Sequence, residues 1–570
     1  MKLEGELERF SRGWRGPAIA AFVAFLAGLP GMLAVPPLDR DESRFAQATA
    51  QMLETGDFVV IRYQDEPRFK KPVGIHWLQA ASVSLFSSPE NHQIWAYRIP
   101  SLLGAMLAAA ACAWGASAFF GAPTGLLAGA MLGTTFLLST EALIAKTDAA
   151  LCGATTLALA ALARLYAEAR DGPPAGRRAW LLFWLGIGVG ALVKGPITPL
   201  VAALAIIALI VVDRRPGWLM RLNWIWGLII VAAIVGPWAG AVTVATDGAF
   251  WSAALAGDLA PKLAGGQETH GAPPGYHTLL APLLTFPMTL MLPAAAITAW
   301  KRWREPGVRF ALAWLVPAWL LFEATPTKLV HYPLPTYGAI AWLAAAALTE
   351  PIGKGARWTG AILSGALGVL LAAAAFYLVK LYGDVSDIPA AALAALLFAG
   401  AGLAGGYLLV RRAPTTAVIG AVALGLAGHA ALAAGLAPRL SPLWLSARTE
   451  QAMAKAQLLP QQGIADAPVT VAGYAEPSLV FALGTPTELA GAEDAAQAIS
   501  ENRPAVVEQR QEADFQKALA AYHAQAHLVS TVKGLDYSDG KHMTLRIYEA
   551  AETASPQTPA AAAPSPGVSQ

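Results

Sequence analysis

The sequence has few charged residues and almost no cysteine. Only 14% of its 570 residues are charged and 56% are hydrophobic, whereas about a quarter of the residues of a soluble protein are charged. This balance excludes an ordinary soluble enzyme and is typical of a chain that lies in a bilayer. The net charge of +2 and the lack of a basic patch exclude a nucleic-acid partner. Cys112 and Cys152 lie inside apolar stretches, so we expect no disulfide and no cysteine-based metal site.

Long apolar runs succeed one another along most of the chain. The first, Pro17 to Val35, comes after three arginines as in a signal peptide, but Pro36-Pro37 ends it without a small-residue cleavage site. It is near the roughly twenty residues needed to cross a bilayer, and with the later runs it predicts about thirteen membrane spans. The later runs lie near residues 98–119, 124–145, 149–167, 179–195, 196–212, 224–245, 279–300, 308–323, 331–350, 357–379, 389–410 and 414–436.

The basic residues are distributed unevenly between the loops. If the spans alternate, about nineteen Lys and Arg fall on the N-terminal side and about five on the opposite side, apart from the first loop. The positive-inside rule therefore predicts a cytoplasmic N-terminus for the transmembrane domain, residues 1–436. An odd number of spans places the chain from residue 437 onward outside the cytoplasm.

The C-terminal part differs in pattern from the spans. In residues 437–552, short apolar stretches alternate with helical patterns, which predicts a small α/β domain on the outer side. Residues 553–570 are rich in Ala, Pro, Ser and Gln and are expected to be disordered, because they cannot bury a core.

The first outer loop, residues 38–97, is long for a connection and has two amphipathic segments, which we interpret as helices on the membrane surface. At the start of the first helix, Asp39 and Glu42 have the spacing of a capping box, which would leave Asp41 free. The alternative is that Asp41 itself caps the helix.

The second helix comes after Lys70-Lys71-Pro72, with the proline suited to its first position. Two cations at the positive end of a helix dipole are unfavourable unless an anion is present. At a bilayer surface this pattern indicates a site for a lipid-linked phosphate, and the alternative is nonspecific contact with anionic head groups.

Ionisable residues elsewhere gather at span ends on the side of the first loop. Such residues are costly within a bilayer, so their common position indicates one polar site that opens outward. Asp148 also has a simpler interpretation as the cap of its span. The residues are Glu141, Lys146, Asp148, Lys194, Glu323, Lys328 and His331.

The loop 246–278 holds further acidic residues and histidines among glycines and prolines. Glu268 and His270 are a candidate pair for a divalent cation, although their spacing matches no diagnostic metal motif. No cofactor is otherwise indicated.

Several short motifs occur together in a recognisable order. They are Asp41-Glu42, Gly56-Asp57-Phe58, Lys71-Pro72, His76-Trp77-Leu78, Tyr97-Arg98-Ile99-Pro100-Ser101, Lys146-Thr147-Asp148, Lys194-Gly195-Pro196, Thr327 to Tyr332 and Tyr474 to Phe481. In these motifs and their order, the chain resembles the superfamily of bacterial lipid A aminoarabinose transferases and protein O-mannosyltransferases, a glycosyltransferase family 39-like group. The resemblance covers most of the chain.

The resemblance implies a polytopic α-helical protein of the GT-C class, an inverting glycosyltransferase of the bacterial inner membrane with its active site in the periplasm. It implies a sugar donor on a polyprenyl phosphate and lipid A or another envelope glycan as acceptor. Asp41 would be the catalytic carboxylate, supported by Asp148. The lipid phosphate would be held by Arg44, Lys70, Lys71, Lys194, Lys328 and Tyr332, with Glu42, His270 and His331 as supporting residues. The aminoarabinose enzymes tend to have an acidic residue where this chain has Lys70.

Elementary chemistry agrees with this interpretation, because Lys and Arg stabilise the charge that a leaving phosphate gains in the transition state. An alcohol acceptor also needs a base. A phosphate acceptor, with a second pKa of about 6, does not, and Asp41 would then mainly orient a substrate. Two alternatives remain, protein O-glycosylation and a secondary transporter, although transporters place their ionisable residues near the midplane within internal repeats.

Overall fold

The computed structural model describes residues 2–260, 271–463 and 468–551. The predicted disordered tail and the candidate metal residues Glu268 and His270 lie outside these ranges. The N-terminal half consists of α1 (Lys2–Ser11), α2 (Arg15–Ala34), α3 (Asp41–Thr55), α4 (Gly74–Phe86), α5 (Ile94–Phe120), α6 (Ala122–Gly133), α7 (Phe136–Glu141), α8 (Asp148–Glu168), α9 (Ala179–Lys194), α10 (Ile197–Asp213), α11 (Trp224–Ala245) and α12 (Ala249–Ser252).

The described chain continues with seven helices and then an α/β unit. The helices are α13 (Tyr276–Leu284), α14 (Leu292–Arg302), α15 (Pro306–Ala324), α16 (Tyr337–Ala346), α17 (Lys354–Tyr382), α18 (Ile388–Val410) and α19 (Pro414–Ala430). A π-helical segment, Ala431–Leu436, extends α19.

Within the described residues, eight helices are long and apolar enough to cross a membrane, or nine if the bent pair α13 and α14 counts as one span. Four shorter apolar segments lie at Ala122–Gly133, Ala179–Lys194, Ile197–Asp213 and Leu334–Thr349. The prediction of a polytopic α-helical membrane protein is confirmed.

Two of the predicted spans are broken near their middle. The run near 124–145 divides into α6 and α7, and the run near 279–300 divides into α13 and α14. The chain bends by 111° between α13 and α14. Pro287 lies at the second break, where a proline cannot donate the hydrogen bond that would continue a helix. The amide of Phe136 donates to the carbonyl oxygen of Phe286 at 2.8 Å, so a backbone hydrogen bond connects the two breaks.

The first outer loop holds α3, α4 and a small hairpin of β1 (Arg62–Tyr63) and β2 (Glu66–Pro67). Both predicted caps of α3 are wrong. The residue before the helix is Arg40, with φ of 57°, and no side chain caps the helix. Helix α3 is also enclosed by its neighbours over residues 45–52, rather than lying open on the membrane surface.

The C-terminal unit combines one mixed sheet with four helices. A sheet of order β4-β3-β5-β7-β6 consists of β3 (Thr470–Ala472), β4 (Glu488–Ala490), β5 (Ala505–Glu508), β6 (Ala526–Asp536) and β7 (Lys541–Ala550). Strand β3 is parallel to both β4 and β5, and the other pairs are antiparallel. Helices α20 (Leu445–Lys455), α21 (Pro477–Leu483), α22 (Ala492–Ser500) and α23 (Glu512–Ala521) complete it.

Two apolar clusters cover the two faces of this sheet. Successive strand residues point to opposite faces, and accordingly Val471 packs in a cluster with α20 and α21, while Ala472 packs with α22 and α23. We call residues 445–551 the outer domain.

Candidate active site

The start of α8 places Asp148 at the centre of a buried cluster of charged side chains. Lys194, at the end of α9, donates from Nζ to Asp148 Oδ1 at 2.5 Å. Lys146 Nζ lies 3.7 Å from Asp148 Oδ2, and His331 Nε2 lies 3.6 Å from Oδ1. The Asp148 carboxylate is therefore bound by two lysines, which compensate for its burial. This role goes beyond capping of a helix.

Lys146 connects this carboxylate with a second one. Its Nζ lies 3.1 Å from Glu141 Oε1 and 3.4 Å from His331 Nδ1. Burial alone would lower the pKa of Lys146, but the carboxylates of Glu141 and Asp148 outweigh it and raise that pKa above its ordinary value. Lys146 thus stays charged. The sequence groups Lys146 with the ionisable residues at span ends but assigns it no function. Its position two residues before Asp148 is the feature that could have indicated one.

The first outer loop approaches the same cluster. Asp41 interacts electrostatically with Lys146, and Lys71 does so with His331. The ring of Tyr332 faces Lys194, whose Nζ is 5.7 Å from the ring centre. Residues from distant parts of the chain, each of them a candidate from the sequence, thus meet at one site.

Glu42, beside Asp41, is fully buried and makes four hydrogen bonds. Arg98 donates to both of its carboxylate oxygens, at 2.8 and 2.7 Å, and the amides of Leu38 and Ala145 donate at 2.8 and 2.7 Å. The bond to Ala145 connects the first outer loop directly to the residue before Lys146.

Arg98 also holds the end of the first span. Its guanidinium donates to the carbonyl oxygens of Met32, Val35 and Pro36 at 2.6 to 3.1 Å. Arg98 belongs to one of the sequence motifs but received no role there. Arg98 lies near the start of an apolar span, two residues before Pro100. A charged residue at such a position is the feature that could have indicated its role.

Lys328 lies in the same region but contacts backbone. Its Nζ donates to the carbonyl oxygens of Glu323, at 2.8 Å, and Thr325. The Glu323 carboxylate in turn accepts from the amides of Gly275 and Thr278 at 2.9 and 2.8 Å, at the start of α13. Glu323 thus connects the end of α15 to the start of α13, and Lys328 binds the carbonyl oxygens at the end of α15.

The two remaining predicted phosphate-binding residues, Arg44 and Lys70, both lie in the first outer loop. Arg44 interacts electrostatically with the hydroxyl group of Tyr63 in the β1–β2 hairpin, and Lys70 is exposed ahead of α4. In the described ranges, no group of three or more His, Cys, Asp or Glu side chains is suited to hold a metal ion.

The outer domain docks on the first outer loop beside Asp41. The Ser478 hydroxyl donates to the Asp39 carboxylate, and the Asp39 amide donates to the Tyr537 hydroxyl at 2.7 Å. The ring of Phe481 packs edge-on against Tyr97, with centres 5.3 Å apart. The motif Tyr474 to Phe481 therefore lies at the contact between the two parts of the protein.

This contact brings acidic side chains together away from the membrane spans. Burial raises the pKa of Asp39 to about 6, although the hydrogen bond from Ser478 opposes the shift. Burial and then the carboxylates of Asp39 and Asp536 raise the pKa of Glu476 to about 7.

Comparison with known proteins agrees with this architecture. Residues 70–240 match the family model described as dolichyl-phosphate-mannose-protein mannosyltransferase. The chain is 29% identical over 386 residues to the undecaprenyl phosphate-alpha-4-amino-4-deoxy-L-arabinose arabinosyl transferase of Aeromonas salmonicida, covering 65% of this chain and 69% of the relative. The enzyme of the same name from Aeromonas hydrophila is also 29% identical, over 388 residues, with the same coverage of both chains.

The crystal structure of ArnT from Cupriavidus metallidurans in the apo state has the same fold, with a TM-score of 0.72 at 20% identity. The match covers 93% of this chain and 96% of that one. Together, the family match, the relatives and the fold support a membrane glycosyltransferase of the GT-C type. Within that class, the chain is similar to the lipid A aminoarabinose transferases, and the resemblance drawn from its motifs is confirmed.

Proposed function

We propose that this protein transfers a sugar from a polyprenyl phosphate to lipid A, with inversion at the sugar carbon, on the periplasmic side of the inner membrane. The acceptor oxygen attacks the anomeric carbon opposite the phosphate. The bond from that carbon to the phosphate oxygen breaks, and its electron pair leaves with the polyprenyl phosphate. The observation that carries the proposal is the cluster at Asp148, where cations from separate spans meet the first outer loop.

The cations of this site suit a leaving phosphate. Lys194 and Lys146 are held by Asp148 at the membrane boundary, and Lys71 lies within electrostatic reach of the same cluster. Fixed positive charges in a site of low dielectric stabilise charge that develops in the transition state. Lys71, Lys194 and Tyr332 hold the donor phosphate in this proposal, with Lys70 and Arg44 toward the entrance.

The two proposed catalytic carboxylates have different surroundings and hence different roles. Asp148 is buried between cations and orders them, whereas Asp41 is exposed at the start of α3 and can reach a substrate. Asp41 takes the proton of an alcohol acceptor, or orients a phosphate acceptor that has no proton to lose.

The arrangement in the membrane is part of the proposal. We count the bent pair as one span and each of the four short apolar segments of the described residues as one crossing, which gives thirteen crossings in this proposal. With a cytoplasmic N-terminus, an odd number of crossings puts the outer domain in the periplasm. Because Cys112 and Cys152 are both buried, introduced cysteines can be labelled selectively. In intact spheroplasts, an impermeant maleimide should label Lys533→Cys but not Arg215→Cys. The reverse pattern would overturn the orientation.

Protein O-glycosylation is the second candidate, because the family model that matches residues 70–240 is named for a protein mannosyltransferase. One experiment separates the two acceptors. Mass spectrometry of lipid A and of envelope proteins, with and without the gene, should show one sugar mass lost from lipid A alone. Loss of a hexose from Ser or Thr residues, with lipid A unchanged, would establish the second candidate instead.

A further inference from the structure

A crevice of about 560 Å³ opens in the outer domain at the carboxyl ends of β3 and β5. From β3 the chain passes through α21 to β4 on one side, and then through α22 to β5 on the other. The two helices lie on opposite faces of the sheet. Open parallel sheets bind ligands at such a divergence, and the volume lies within the roughly 300–1,000 Å³ of small-molecule sites. The proposed glycosyl transfer does not use this crevice.

The walls of the crevice are predominantly acidic. Four carboxylates and two basic side chains line it, so its fixed charge favours a cation over an anion. These side chains are Glu476, Glu508, Asp536, Asp539, Arg510 and Lys541.

One of these carboxylates has a buried oxygen without a hydrogen-bond partner. Glu476 is 8% exposed, and its Oε2 accepts no hydrogen bond. Arg40 Nε lies 3.9 Å from the other oxygen, too far for a hydrogen bond. Glu508, by contrast, accepts from the amide and the Nε of Arg510, both at 2.9 Å. Buried acceptors are almost always satisfied in native proteins, so Glu476 is suited to receive a donor from a ligand.

The rest of the lining indicates the chemical class of that ligand. Leu489 and Met543 provide the apolar part of the lining, and Arg510 Nη2 donates to the Met543 sulfur at 2.7 Å. In the described part of the outer domain, no three acidic or histidine side chains converge as metal ligands. We propose that the crevice binds a small organic cation whose primary ammonium group donates to Glu476 and whose carbon skeleton lies against Leu489 and Met543.

The crevice is connected to the first outer loop through Arg40. Its guanidinium donates from Nη2 to Asp539 Oδ1 at 2.7 Å, and it also faces Glu476. Arg40 immediately precedes Asp41, the first residue of α3. A cation in the crevice would therefore contact the same carboxylates, Glu476 and Asp539, as Arg40 does.

Binding can be measured on the full chain in detergent, without any transfer activity, by NMR of methionine methyl groups labelled with ¹³C. The Met543 signal is assigned with Met543→Leu. The probe is 1,5-diaminopentane, and 1,5-pentanediol is its uncharged match. We expect the diamine to shift the Met543 signal in a saturable manner and the diol to leave it unchanged.

Substitutions locate the site. Glu476→Gln keeps the shape of the side chain and should weaken diamine binding at least tenfold, and Asp539→Asn, at the mouth, should weaken it less. Glu493→Gln, an exposed acid of α22, should have no effect. Equal shifts with diamine and diol, no shift with either, or unchanged binding in Glu476→Gln would overturn the proposal, as would a shift with Ca²⁺ alone. Loss of transfer in the intact enzyme has no bearing on these results.

Discussion

Glu42 and Arg98 form a bidentate ion pair that is closed to solvent, with side chains 1% and 0% exposed. Through its other contacts the pair ties the end of α2, the start of α3 and the residue before Lys146 to one another. Asp41 immediately precedes Glu42, and Lys146 immediately follows Ala145, whose amide binds Glu42. The ion pair therefore lies next to both of these proposed active-site residues.

Removal of one partner of this pair should be strongly destabilising. Glu42→Gln leaves a buried guanidinium with no opposite charge, a change that typically costs about 3–5 kcal/mol. We expect a clear drop in the thermal unfolding temperature in detergent. The double variant Glu42→Gln/Arg98→Met should be less destabilised than Glu42→Gln alone. Equal unfolding temperatures for the native protein and Glu42→Gln would contradict the assignment.

Substitution of Asp41 should affect catalysis and leave the fold intact. Asp41 is exposed, so Asp41→Asn loses its electrostatic interaction with Lys146 and a favourable interaction with the helix dipole, the latter about 0.3–1 kcal/mol. Transfer of the labelled sugar in membranes should fall to background at an unchanged unfolding temperature. Asp65→Asn, an exposed acid of the same loop, is the matched control. Normal transfer by Asp41→Asn would remove this residue from the mechanism.

Lys71→Ala should weaken binding of the lipid donor. A hydrogen bond to a charged group contributes about 1.5–3 kcal/mol, which corresponds to a roughly 10- to 100-fold higher Kd for undecaprenyl phosphate. Lys533→Ala removes an exposed lysine from the outer domain and should bind the donor normally. Donor affinity that is the same in Lys71→Ala and the native protein would argue against a phosphate site at this lysine.

The contact between the outer domain and the first outer loop should be weakened as the pH rises. The docked state raises the pKa of Asp39 to about 6 and that of Glu476 to about 7, from ordinary values of 3.8 and 4.5. A group whose pKa is raised binds its proton more tightly in the docked state, so docking is most stable at low pH and loses stability between about pH 4 and 7.

Limited proteolysis between the spans and the outer domain should therefore be faster at pH 8 than at pH 5.5. Glu476→Gln cannot ionise and should reduce this difference, while Glu493→Gln should retain it. Protection that increases with pH in the native protein would reverse the sign and contradict the assignment.

Much of the site could be predicted from the sequence, because ionisable residues at the ends of apolar spans have few structural explanations. That argument identifies Asp148, Lys194 and His331, and both Lys194 and His331 lie within contact distance of Asp148. The sequence assigns no role to Arg98, because its partner carboxylate lies 56 positions earlier in the chain. Only the structure shows that the two side chains are in contact.

The start of α3 shows where local reasoning fails. The spacing of Asp39 and Glu42 matches a capping box, but both side chains bind residues far away in the sequence instead of capping the helix. Ser478 binds Asp39, and Arg98 binds Glu42. A local cap contributes about 1 kcal/mol, whereas an unpaired buried arginine costs several times as much, so the long-range partners win.

The sequence by itself determined that the chain crosses a membrane many times, that ionisable residues lie at the ends of its apolar runs, and which motifs it shares with known enzymes. These properties depend on composition, run length and order, which need no neighbours in space. Only the tertiary structure decided that Glu42 pairs with Arg98, that two spans break where their backbones bond each other, and that the outer domain docks beside Asp41. Each of these depends on contacts between residues far apart in the chain, and their energies appear only when folding brings both partners out of water.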